Sequence, residues 1–161
     1  MESQLEIVNE ILAAIRFCIL ATSGRDGRPW ATPLFYNHDA SYVLYWESAR
    51  DTRHTRLIAE NPNVAIAVSD MDGVRGVYFE AVAGEVLAGE LDEALDRFLK
   101  GPHERDREQR TAADFAPHRP LGLFCARPVS AYLMTGARKV DGYLIDERVP
   151  IALPIQVVAE P

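Results

Sequence analysis

No apolar run in this 161-residue chain approaches the ~20 residues that a membrane-spanning helix requires, so no membrane partner is expected. The N-terminus carries Glu2 and Glu6 where a secretory leader would carry lysines, which reads as a cytoplasmic protein. Long basic tracts are also missing. The formal charge is −7 and the cations cluster locally, which argues against a nucleic-acid partner held through its phosphates. Cysteine is scarce: Cys18 and Cys125 are the two present. Both fall in apolar, strand-like runs, as small core residues of a reducing compartment do, and not as a disulfide framework. His38, His54, His103 and His118 share no ligand spacing with one another or with the cysteines, so no metal held by protein side chains is expected. Gly-x-Ser-x-Gly elbow, P-loop and Rossmann glycine motif are all lacking, which removes the usual routes to hydrolase, NTPase and NAD-binding chemistry. Internal repeats and low-complexity segments are absent as well.

The length suits one domain, residues 1–161, with a sizeable core. Leu5, Ile7, Val8, Ile11, Leu12 and Ile15 recur at helical spacing among Glu2, Glu6, Asn9 and Glu10, predicting an amphipathic first helix capped by Ser3. Residues 17–22 are an unbroken apolar strand, and Gly24-Arg25-Asp26-Gly27 turns the chain into a second strand over 29–37. Residues 37–41 read as a loop. In the strand over 42–47, Tyr42, Leu44 and Trp46 share one face and Val43 and Tyr45 the other. A strand apolar on both faces predicts a barrel wall with a layer packed outside it.

A short helix over 51–60, capped by Asp51 and ended by Asn61-Pro62, is followed by a strand over 63–68 and a turn at Asp70-Met71-Asp72-Gly73. Residues 77–87 predict a curved strand and 90–100 a helix stopped by Gly101-Pro102. Polar residues 103–120 read as a partly helical surface excursion, of the kind that covers a site. Two closing strands, 121–133 and 142–153, flank a connection at 136–141, and a proline-punctuated tail ends the chain. The sum is a mainly β fold with helical inserts (α+β): a six- to seven-stranded antiparallel split β-barrel, Greek-key-like, with no β-α-β alternation.

Three places carry candidate chemistry. At the start of the 51–60 helix, unpaired backbone N–H groups and Arg53 suit an oxyanion, while a capping Asp51 would take up one N–H and repel it; a capped, solvated surface helix is the plain alternative. Thr32-Pro33-Leu34 interrupts a strand, because Pro33 cannot donate to a ladder; an edge strand or a backbone opened toward a ligand both follow. Trp46-Glu47-Ser48 ends a strand just before the basic helix, with Trp46 suited to a core and the polar pair to a ligand.

The runs FCILATSGRDGRPWATPLFY (17–36), VLYWES (43–48), RHTRLIAENPNV (53–64) and GVYFEAVA (76–83) together resemble the pyridoxamine 5'-phosphate oxidase-like family of split-barrel flavoproteins. The resemblance implies a homodimer with FMN in a groove between two barrels, acting as an FMN-dependent oxidoreductase on a small-molecule substrate. By position it puts Thr52 and Arg53 at the phosphate, Thr32, Pro33 and Leu34 along the flavin ring, and Trp46, Glu47 and Ser48 beside the ribityl chain. His54 resembles a histidine of some branches. Asp51 stands where the oxidase has a serine, Ala81 replaces a common glycine, and a Trp-Arg pattern tied to substrate recognition is lacking, so vitamin B6 oxidation is not implied. A deazaflavin or haem, held for chemistry or only for storage, is the alternative the fold offers.

Overall fold

The computed structural model describes residues 3–70, 75–103 and 110–154. The expected turn at Asp70-Met71-Asp72-Gly73 past its first residue, the middle of the polar excursion and the tail beyond Pro154 lie outside the described residues. The first helix, α1 (Gln4–Ala14), begins as its sequence dictates: the Ser3 hydroxyl accepts the Glu6 N–H at 3.2 Å and the Glu6 carboxylate accepts the Ser3 N–H at 2.6 Å. That reciprocal cap satisfies two otherwise orphaned donors. Val8, Ile11 and Leu12 then face the sheet and are buried against it.

Strands β1 (Phe17–Ser23) and β2 (Pro29–Phe35) form a hairpin in register from Phe17 opposite Phe35 to Ser23 opposite Pro29. Gly27, at φ +74°, supplies the left-handed residue its turn needs. The remaining strands are β3 (Asn37–His38), β4 (Leu44–Ala49), β5 (Asn63–Ser69), β6 (Gly76–Glu85), β7 (Leu121–Val140) and β8 (Tyr143–Pro150). Between them lie α2 (Arg53–Glu60) and α3 (Leu91–Lys100). All pairings are antiparallel, and the sheet runs β2-β1-β5-β6-β7-β4-β3 with β8 added to β7. This is the expected split barrel, with eight strands once the two-residue β3 is counted. β2 is an edge, so Pro33 costs the ladder nothing there.

The core has two parts because β4 is buried on both faces, as its sequence predicts. Leu44 and Trp46 point into the barrel with Leu20, Ile66, Phe79 and Leu133. Tyr45 points outward, into a second cluster with Leu95, Phe98, Phe115 and Cys125, where α3 covers the wall. No helix among the described residues is long and apolar enough to cross a membrane.

Three boundaries differ from the sequence reading. The strand expected from Tyr42 starts at Leu44, since Tyr42 adopts φ +61° in a turn closed by Asp39, whose Oδ1 accepts the N–H of Ser41 and of Val43 at 2.9 and 3.0 Å. The preceding loop contributes β3 instead. The connection expected at 136–141 is strand: β7 runs to Val140, and the turn is Asp141-Gly142, both at positive φ. Gly136, at φ +137°, lies in the register shift between Met134 and Ala137. The excursion at 103–120 is also less superficial than its polarity implies. His103 is buried and tied to Asn37, and Phe115 plugs the outer cluster.

Candidate functional site

The predicted residues divide between the two faces of the sheet. On β2, Thr32 and Leu34 lie opposite the buried Leu20 and Cys18 and face the barrel interior, whereas Pro33 lies opposite the exposed Ile19 on the outer face. The Thr32 Oγ1 is shut off from water and has no hydrogen-bond partner. A buried hydroxyl without a partner costs about 1–3 kcal/mol, so it marks a place fitted for a polar atom that the chain does not supply.

Helix α2 is capped by Thr52, not by Asp51. Thr52 holds extended backbone angles, its hydroxyl accepts the Thr55 N–H at 3.4 Å, and Asp51 is an exposed turn residue one position earlier. Asp51 therefore takes no helix N–H, and no acceptor for the N–H groups of Arg53 and His54 lies among the described residues. The Arg53 guanidinium lies over the Trp30 ring, 4.3 Å from its centre, at the exposed end of β2. A stacked guanidinium keeps its N–H edge free for an anion.

Behind that exposed surface, Ser48 at the end of β4 and His54 are both buried, with Ser48 Oγ 2.8 Å from His54 Nε2. Thr52 Oγ1 reaches the same nitrogen at 3.3 Å. Burial lowers the affinity of His54 for a proton below the ordinary imidazole value, so the ring is neutral at pH 7. The set Ser48, Thr52 and His54 thus pins the start of α2 to the end of β4.

Other predicted residues are held elsewhere. Trp46 stacks on Phe124 at 6.0 Å inside the barrel, its Nε1 buried and unpartnered. Glu47 faces outward and pairs with Arg110 at 3.0 Å. Trp30 was not legible as a site residue from its spacing, although it lies two positions before Thr32 and so shares a face with it. Arg110 lay hidden in the polar excursion. Cavities of about 440 and 480 Å3 adjoin α3, and Arg53 borders neither. No cluster of three or more metal-ligating side chains occurs among the described residues.

Residues 5–120, which contain this β2 edge and the start of α2, match the pyridoxamine 5'-phosphate oxidase model. The chain belongs to that family. No curated relative matches it. Among solved structures it is similar to a heme-binding protein from Mycobacterium smegmatis, with 20% identity, TM-score 0.65, 91% of this chain and 58% of that one covered. It is also similar to an F420 reductase (19% identity, TM-score 0.57, 76% and 94% covered). A third is a conserved hypothetical protein of Mycobacterium tuberculosis (24% identity, TM-score 0.61, 81% and 83% covered). At these identities the structural likeness speaks for the fold, and the chain spans little more than half of the M. smegmatis protein.

Proposed function

We propose that the chain binds FMN along the β2 edge and the start of α2 and acts, as a homodimer, as an oxidoreductase on a small molecule. The observation that carries this reading is the buried, unpartnered Thr32 hydroxyl on the same edge strand as Trp30, over which Arg53 stacks beside the open N–H groups of α2. A phosphate suits the N–H groups and guanidinium, and a polar ring atom suits Thr32, so the residues present fit a flavin nucleotide. When bound, the flavin supplies hydride transfer. Arg53 and the first turn of α2 hold the anion, Ser48 and His54 keep Thr52 in its capping position, and Leu34 keeps the inner face of the edge dry. No nucleophilic side chain is needed.

Dimerisation is supported by the outer sheet face, where Phe17 (59%), Ile19 (46%) and Val82 (43%) stay exposed on strands lined between them by Ala21, Ala65 and Ala67. A second copy covering that face removes it from water. Titration of the purified protein with FMN tests the reading. Binding on the order of tens of micromolar or tighter, with a perturbed flavin spectrum and a loss of about tenfold or more in Arg53→Ala, is expected. No perturbation in the wild type defeats it. A deazaflavin would meet the same anion site and a haem would not need it, so the spectrum of the natively purified protein separates the three. Reduction of bound flavin by NADPH separates an enzyme from a storage module.

A further inference from the structure

A cavity of about 440 Å3 opens between α3 and the outer face of β4 and β7. Val43, Tyr45, Val86 and Cys125 line its apolar part, and its charged part holds Arg97, which takes up Asp39 and Glu93, and Arg127, which pairs with Glu90. It is separate from the cofactor reading, because Tyr45 and Cys125 belong to the outer cluster whereas Thr32 faces the barrel interior. A hollow of this size, with paired charges around a small apolar floor, has the dimensions of a small-molecule site.

The two arginines are used differently. Arg97 is engaged at both ends: Asp39 accepts from it at 3.0 Å, Glu93 at 2.5 Å and the Tyr45 hydroxyl at 3.3 Å. Arg127 has weaker partners. Its Nη1 donates to the Cys125 sulfur at 3.1 Å, a poor acceptor, and its Nη2 to Glu90 at 3.3 Å, with both side chains about half exposed. An exposed ion pair of that kind is worth about 0–1 kcal/mol, so an entering carboxylate displaces Glu90 at little cost and gains a two-pronged contact. Burial holds the Cys125 thiol above its ordinary value, so no thiolate opposes an anion there.

We propose that this cavity binds a small carboxylic acid with an apolar body, its carboxylate forked on Arg127 in place of Glu90 and its body lying on Val43, Val86 and the Tyr45 ring. Benzoate is the probe and benzamide its uncharged isostere, each titrated into the whole protein by amide NMR at low salt. Saturable benzoate binding that shifts the amides around Cys125 and Ala94 is expected, with benzamide weaker by about tenfold. Arg127→Gln weakens benzoate by a similar factor, Arg53→Ala leaves it unchanged, and Glu90→Gln, which keeps both arginines, strengthens it several-fold. Overturning results are no saturation, equal binding of benzamide, indifference to Arg127→Gln, no gain in Glu90→Gln, or loss in Arg53→Ala. The last places benzoate at α2. If Arg127→Gln fails to fold, the Glu90→Gln and benzamide results decide.

Discussion

Asn37 shows how much one polar side chain can hold. It is buried, its amide donates to the carbonyls of Phe98 at 2.6 Å and His103 at 3.0 Å, and its oxygen accepts the His103 N–H at 2.9 Å. These bonds fasten the end of α3 to β3, and Gly101 leaves the room, since a Cβ there would come within 2.3 Å of the Asn37 side chain. Asn37→Ala strands two buried carbonyls and an N–H at once, each costing about 1–3 kcal/mol. The expected loss is about 3 kcal/mol after relaxation, read as a lowered urea midpoint at unchanged slope. Ser48 acts on a smaller scale. Ser48→Ala removes the strongest contact of His54 and leaves its Nε2 with Thr52 at 3.3 Å. An FMN affinity reduced several-fold, with stability lowered by about 1 kcal/mol and read as a lower urea midpoint, is expected if the α2 start is what holds the ligand.

At the scale of elements, Arg50 ties three segments together. It donates to the Glu85 carboxylate in an ion pair at 2.7 Å and to the carbonyls of Phe115 at 2.9 Å, Ala116 at 3.1 Å and Arg119. Arg50→Met is expected to cost about 2 kcal/mol, since charged donors to backbone oxygens are lost. Amide exchange should quicken over 112–120 while β5 and β6 keep their protection. Nothing in the spacing of the sequence marks Arg50 for this task, because its partners lie 35 to 69 residues away. The elements themselves were legible where the local signal agreed with the packing: Ser3 and Glu6 at α1, the two apolar faces of Tyr45 and Trp46, Pro33 on an edge. They were misread where one residue overrode the pattern. Tyr42 is a good strand former placed in a left-handed turn by the Asp39 carboxylate. Asp141-Gly142 is the hairpin signal that the glycine at 136 masked. In the candidate site, Arg53 is singled out by its position in the chain, while Trp30, on which it stacks, is not, because stacking across β2 and α2 leaves no spacing in the chain.

Across the whole molecule, three imidazoles share one property. Burial holds His38, His54 and His103 below the ordinary imidazole value of 6.5, and for His103 the nearby His38 and Arg16 add to the effect. The Nε2 atoms of His38 and His103 are buried without partners, so protonating either ring puts a charge beside Tyr36 that Asp39 at His38 and backbone carbonyls at His103 offset less than burial opposes it. In the unfolded chain the same rings titrate at their ordinary value. Between the two, the unfolded state binds more protons, and stability rises with pH. The histidine contribution is therefore complete above about pH 6.5 and is lost as the pH falls toward the lower folded values. Carboxylates act in a different window, because Glu6 and Asp114 are held below ordinary values of 4.5 and 3.8 by Ser3 and Thr111 and their contribution fades beneath those. Urea midpoints measured from about pH 7.5 to 5.5 thus isolate the imidazoles, and a steady fall is expected. The fall should be shallower in His38→Gln, which removes one titrating ring and relieves the charge on His103. A midpoint constant over that interval would mean that the rings gain a proton as easily in the fold as outside it, and that the packing around β3 and the end of α3 opens to admit water.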